Sequence, residues 1–198
     1  MLNTPNALTI GRILAIPLIV ACLTTDPANT GARALALALF IAASVTDWLD
    51  GYLARTWKQQ SAIGAMLDPI ADKLLVGAIL VMLVADATIS GVHVLAVVTI
   101  ICRELLVSGL REVLAGAAVK LPVSFAAKAK TAVQMTALAA LIAAPMASET
   151  IAGAGLLLLW AAALLSAWTG AEYTRAALRF AISQDRSETQ KDHRTDDE

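Results

Sequence analysis

The sequence predicts an all-α integral membrane protein, a bundle of six transmembrane helices with both termini on the cytoplasmic side. Three observations predict it. Of 198 residues, 58% are hydrophobic and 16% charged, and the mean hydropathy is +0.71, far more apolar than an ordinary water-soluble domain. Six segments approach the roughly 20 mostly apolar residues that a helix needs to cross a hydrocarbon core about 30 Å thick. The Lys and Arg residues gather at alternate breaks between those segments.

The first segment, 8–24, follows "MLNTPNALTIGR", which lacks the basic start and small-residue cleavage pattern of a secretion signal; it is expected to stay as a membrane anchor. The second, 33–54, begins after the turn-prone "TTDPANTG" and stops at "TWKQQS". The third, 65–85, ends at "DATISG", the fourth, 91–114, at "GAAVKLPVS", and the fifth, 126–146, at "APMASETIAG", before a sixth over 151–175. Each break carries the Gly, Pro, Asn, Asp or Ser residues that interrupt helices. Arg55 and Lys58 flank the second break, Lys120, Lys128 and Lys130 surround the fourth, and Arg175, Arg179, Arg186, Lys191 and Arg194 follow the sixth segment. The odd breaks hold almost no basic residues, Arg33 being the exception. The positive-inside rule then puts both termini and the even loops in the cytoplasm.

Residues 1–182 read as one membrane domain. The remainder, 183–198 ("SQDRSETQKDHRTDDE"), is polar, of mixed charge and without apolar periodicity, and is expected to be disordered. A formal net charge of −1 gives no footing for nucleic-acid binding. Cys22 and Cys102 lie in apolar stretches and read as packing residues, not as a disulfide or metal site. His93, at the start of a helix on the far side, and His193, in the tail, have no ligand-type neighbours in sequence.

Four aspartates stand out against this background. The second segment is uncharged only from Ala34 to Thr46, which at about 1.5 Å per residue covers about 20 Å and leaves Asp47 and Asp50 in its inner part. The third segment runs back the other way, so Asp68 and Asp72 fall at a similar depth. Asp47 and Asp50 are spaced i, i+3, and Asp68 and Asp72 i, i+4, so each pair shares a helical face. Gly51 and Gly64, one turn from Asp47 and Asp68, keep those faces narrow. Pro69 is near the start of its helix, where a missing N–H does least harm.

Four carboxylates in a low-dielectric site need compensation. Oxygen ligands without histidine or thiolate suit Mg²⁺ or Mn²⁺, and two divalent ions balance four negative charges. Paired metals about 4 Å apart are a device for displacement at phosphorus. The structural alternative is ion pairing with Arg55 and Lys73, which leaves two of the four acids uncompensated. A proton or cation relay in a transporter uses acids too, but this spacing argues against it.

The stretch "DWLDGYLARTWKQQSAIGAMLDPIAD" resembles the signature of the CDP-alcohol phosphatidyltransferases, D-x2-D-G-x2-A-R-x8-G-x3-D-x3-D, with every fixed position matched. The resemblance extends from "TPNALTIGR" to at least Lys130. It implies a six-helix membrane enzyme of the bacterial cytoplasmic membrane, homodimeric, with its site opening to the cytoplasm. There an alcohol attacks the β-phosphorus of a CDP-linked lipid such as CDP-diacylglycerol and CMP leaves. Carried over by motif, Asp47, Asp50 and Asp68 hold the metals, with Asp72 as general base and additional ligand. Asp47, Asp50, Gly51, Ala54 and Arg55 line the CDP-lipid site, and Gly64 allows close approach. Elementary chemistry agrees: dications offset charge on the phosphorus oxygens, and a carboxylate within hydrogen-bond reach takes the hydroxyl proton.

The acceptor is read from the other charges. "TIICRELLVSGLREVLAG" places Arg103 and Arg111 in the fourth segment, and "SFAAKAKTAVQM" adds Lys128 and Lys130 at the start of the fifth. Arginine inside a membrane helix is costly enough to suggest a partner, and phosphate binds it bidentately. Pairing with Glu104 and Glu112, and snorkelling of the lysines, are the structural alternatives. Both stretches are similar to the bacterial branch of that family whose acceptor is sn-glycerol 3-phosphate; phosphatidylglycerol, inositol phosphate and serine are the competing acceptors. Asn6, Thr9 and Arg12 in "TPNALTIGR" are a further shared element, which helix capping by Thr4 or Asn6 and a positive-inside arginine explain equally well.

Overall fold

The computed structural model describes the backbone of residues 4–57, 62–116 and 125–195 and the side chains of residues 9–46, 67–112, 114 and 128–182. Among them are six α-helices: α1 (Thr4–Leu23), α2 (Thr30–Trp57), α3 (Ala62–Ala85), α4 (Val94–Gly116), α5 (Phe125–Ala143) and α6 (Glu149–Thr195). Single 3₁₀ turns, Gly91–His93 and Ala144–Met146, precede α4 and follow α5. Each helix overlaps one of the six apolar segments: α2, α3 and α6 contain theirs whole and run past them, whereas α1, α4 and α5 stop one to three residues short at one end. Polar residues continue a helix as readily as apolar ones once the span has nucleated it.

The extension is longest in α6. Residues 183–198 are predicted to lack regular structure, whereas α6 continues to Thr195. Its last turns are rich in Gln, Glu, Lys and Arg, which have good intrinsic helix propensity. Lys58 and Lys120, two of the residues that orient the predicted topology, lie outside the described residues.

Three stretches among the described residues, Gly91–Glu112, Lys128–Met146 and Glu149–Ile182, are long and apolar enough to cross a membrane. Thr9–Leu23 and Thr30–Thr46 are shorter apolar stretches. α1 packs on α2 and α3, while α6 packs on α4 and α5, and α2 touches α5 to join the two groups. The shared core holds Ile19, Phe40, Leu75, Ile79, Leu80, Leu83, Ile100, Leu138 and Leu159. Gly155 lets α6 approach α5 closely: a Cβ there would lie 3.0 Å from Leu141 Cγ.

Large apolar side chains also cover much of the described outer surface. Leu14, Leu105, Leu157, Leu164 and Trp168 are all more than half exposed, an arrangement that water would penalise at every residue and hydrocarbon would not. Cys102, predicted to pack, is on this outer surface, while Cys22 is partly buried; both are free thiols. Helical phase decides the difference, because Cys102 shares its exposed face with Leu105 and Leu106.

At the end of the bundle away from the aspartates, Arg33 accounts for its own exception to the charge pattern. It is 1% exposed, pairs with Asp86 through Nη2 and also donates to Thr88 Oγ1 at 3.3 Å. Asp86 Oδ1 in turn accepts the Thr88 N–H at 2.9 Å, closing the turn in which Ala87 has φ +61°. Nearby, Trp160 Nε1 donates to His93 Nδ1 at 3.0 Å, so His93 ties the start of α4 to α6.

Candidate active site

A cavity of about 640 Å³ opens at the end of the bundle where α1, α3 and α5 begin. α1 and α3 run side by side in the same direction, and successive turns of each meet. Thr9 Oγ1 donates to Asp68 Oδ1 at 2.5 Å, and one turn deeper Arg12 Nη1 donates to Asp72 Oδ1 at 2.8 Å. The Arg12 side chain is fully buried while that of Asp72 is half exposed. A buried guanidinium on one side thus fixes a carboxylate that still faces the cavity, with Lys73 beside it in the wall.

α4, α5 and α6 supply the opposite wall. Arg103 Nη1 donates to Glu104 Oε1 at 3.0 Å, and Nη2 to Thr169 Oγ1 at 3.0 Å. Lys130 Nζ bonds the same Glu104 oxygen. Gly170 makes room for the Arg103 stem, since a Cβ at that position would stand 3.0 Å from Arg103 Cγ. Further out, the Arg111 guanidinium lies 5.6 Å from the centre of the Tyr173 ring, within cation–π range, and Lys128 completes the basic rim.

The described lining therefore carries six basic side chains, Arg12, Lys73, Arg103, Arg111, Lys128 and Lys130, against two acidic ones, Asp72 and Glu104. An excess of cations in an apolar frame, with Arg12 and Lys130 buried, Lys73 and Arg103 half-buried and Arg111 and Lys128 exposed, is an anion-binding arrangement, and the planar, weakly hydrated Arg103 suits a phosphate. Low-dielectric walls strengthen that attraction.

Of the predicted site residues, Arg12, Asp72, Arg103, Arg111, Lys128 and Lys130 come together on this cavity, and Thr9 and Asp68 stand directly behind it. The alternative pairing of Arg103 with Glu104 also occurs; it coexists with the cavity-lining position. Asp47, Asp50, Gly51, Ala54 and Arg55 fall in α2, Gly64 in α3 and Asn6 in α1, but their side chains lie outside the described residues. Among the described residues no three His, Cys, Asp or Glu side chains group as metal ligands. The two acids that are described, Asp68 and Asp72, occupy successive turns of α3 and offer hard oxygen donors, the type that suits Mg²⁺ or Mn²⁺. Sequence reasoning passed over Glu104 as a bridge between two cations, and Gln134 and Tyr173 altogether. Gln134 was within reach of it, standing i+4 from Lys130 on one helical face.

Helices that are apolar outside and enclose a cationic cavity facing a carboxylate define a membrane-type protein that handles anionic, phosphate-bearing ligands. A profile of the CDP-alcohol phosphatidyltransferases matches residues 2–168. Similar proteins include a CDP-diacylglycerol–glycerol-3-phosphate 3-phosphatidyltransferase of Rickettsia bellii, 45% identical over 180 residues, covering 90% of this chain and 97% of that one. A protein of Escherichia coli K12 with the same name is 41% identical over 177 residues, 88% of this chain and 94% of its own. The chain belongs to the CDP-alcohol phosphatidyltransferase family.

Proposed function

We propose that the protein transfers a phosphatidyl group from CDP-diacylglycerol to sn-glycerol 3-phosphate, giving phosphatidylglycerophosphate and CMP. The observation that carries this reading is that one cavity has Asp72 on one wall and Arg103 and Lys130 on the other. The relatives' names supply the two substrates. The acceptor's phosphate sits against Arg103, Arg111, Lys128 and Lys130, a cluster that a doubly charged phosphate monoester matches better than zwitterionic serine, whose single carboxylate is accompanied by an ammonium group. Its hydroxyl then points across the cavity toward α3.

In the transfer, the acceptor oxygen forms a bond to the β-phosphorus as the bond from that phosphorus to the CMP oxygen breaks. CMP departs with the electron pair, and the hydroxyl proton goes to the Asp72 carboxylate, which Arg12 holds in position. The CDP-lipid lies along Asp47, Asp50, Gly51, Ala54, Arg55 and Gly64, with Asn6, Thr9 and Arg12 bracing that side. Asp47, Asp50, Asp68 and Asp72 would hold two Mg²⁺ or Mn²⁺ ions, which when bound would supply Lewis-acid neutralisation of charge at the diphosphate. The helices act as six spans with both termini in the cytoplasm, in a bacterial inner membrane and as a homodimer. This places the cavity mouth at the cytoplasmic headgroups, where acyl tails stay in lipid and the cytidine head reaches water.

Purified protein in detergent micelles with Mg²⁺ or Mn²⁺ and labelled CDP-diacylglycerol tests the reading against a panel of acceptors. CMP release should require sn-glycerol 3-phosphate. Release driven by phosphatidylglycerol, inositol phosphate or serine instead would reassign the acceptor, and no release with any of them would overturn the proposal.

A further inference from the structure

Gln134 has no task in the chemistry above. It stands on α5 one turn beyond Lys130, so it shares that residue's face about 6 Å further along the helix axis. It lines the cavity and is 3% exposed. Its Oε1 is buried and meets no hydrogen-bond donor among the described residues. Ser166 Oγ, another polar atom buried in this half of the bundle, is likewise without a partner, so the two do not satisfy each other. Buried polar groups are nearly always paired, and an orphan on a cavity wall calls for a ligand atom.

A carboxamide both accepts and donates hydrogen bonds, and a hydroxyl does the same. An acceptor anchored by its phosphate at Lys130 and Arg103 runs along the cavity from that point, and the first polar group past the phosphate ester is the hydroxyl on the middle carbon. We propose that Gln134 is a specificity-determining residue that hydrogen-bonds this non-reacting middle hydroxyl. The assignment rests on the glycerol-phosphate reading given above. It makes the enzyme selective for a polyol phosphate over a simple hydroxyalkyl phosphate, because an acceptor lacking the group leaves the amide buried and unpaired.

The test compares sn-glycerol 3-phosphate with 3-hydroxypropyl phosphate, which keeps the phosphate and the reacting hydroxyl and lacks only the middle one. In CMP-release assays the wild-type protein should favour glycerol 3-phosphate by about 10- to 100-fold in kcat/KM. Gln134→Met, of similar length and without polar amide atoms, should bring that ratio close to one. Gln134→Glu, which keeps an acceptor at the same reach, should retain more of it than the Met variant. Equal wild-type kcat/KM for both acceptors overturns the assignment and needs no variant to fold. So does a loss in Gln134→Met that is the same for both acceptors, the mark of a packing role. CMP release with neither acceptor is a different result, because it removes the glycerol-phosphate reading itself.

Discussion

Arg12 and Arg103 are arginines inside apolar helices, and each is met by an acid: Arg12 by Asp72 across 60 positions of sequence, Arg103 by its neighbour Glu104. The two acids carry different predictions. Asp72→Asn keeps the shape of the Arg12 contact but cannot take a proton, so CMP release should fall by about 100-fold or more with the protein still folded; an unchanged rate would remove Asp72 from the chemistry. Glu104 holds Arg103 and Lys130 together through one carboxylate oxygen, so its negative charge stands close to the proposed phosphate position and opposes the phosphate. Glu104→Gln should therefore lower the acceptor KM, by about 3- to 10-fold for a charge partly screened by the open cavity, and a raised KM would show that Glu104 positions the cations instead. Much of this was legible in the sequence. The i, i+4 spacing put Asp68 and Asp72 on one face, and the cost of intramembrane arginine singled out Arg103. Thr9 and Arg12 were not decidable, because capping and charge bias use the same residue types as a site. Only a contact between distant turns separates the two.

At the level of the helices, the pair at the far end joins the start of α2 to the turn after α3. Arg33 and Asp86 are both nearly inaccessible, and removing one partner strands the other. Asp86→Leu should cost about 3–5 kcal/mol of stability, and Arg33→Met with Asp86→Leu should recover most of it, read as thermal unfolding in micelles. A double variant no better than the single one would mean that the pair matters through its Thr88 contact rather than its charge. In sequence Arg33 was only an anomaly in the charge alternation, since its partner lies 53 positions away. Helix lengths diverged for another reason: hydropathy marks the part of a helix that lipid can cover, not the part that is helical. The run of α6 from Ile182 to Thr195 therefore left no signal in the apolar pattern.

For the whole molecule, apolarity inside and out defines a protein made for hydrocarbon, and that was plain from composition. The basic residues of the cavity come from α1, α3, α4 and α5, all at the same end as the late turns of α6, so their charge bias and the anion site are one feature. A reporter that fluoresces only in the cytoplasm, fused after Glu198, should be bright in bacterial cells, and a dark fusion would invert the proposed topology. What the sequence could not supply is the way two helix groups, α1 to α3 and α4 to α6, face each other across the cavity, which depends on packing between residues far apart in the chain. The central claim is that a carboxylate on one group and cations on the other serve a single transfer. The most direct measurement is phosphatidylglycerophosphate formed from labelled CDP-diacylglycerol and sn-glycerol 3-phosphate by the wild-type protein, Asp72→Asn and Arg103→Met. One product molecule per CMP in the wild type, with product lost in both variants, is the predicted result; full product from either variant would contradict it.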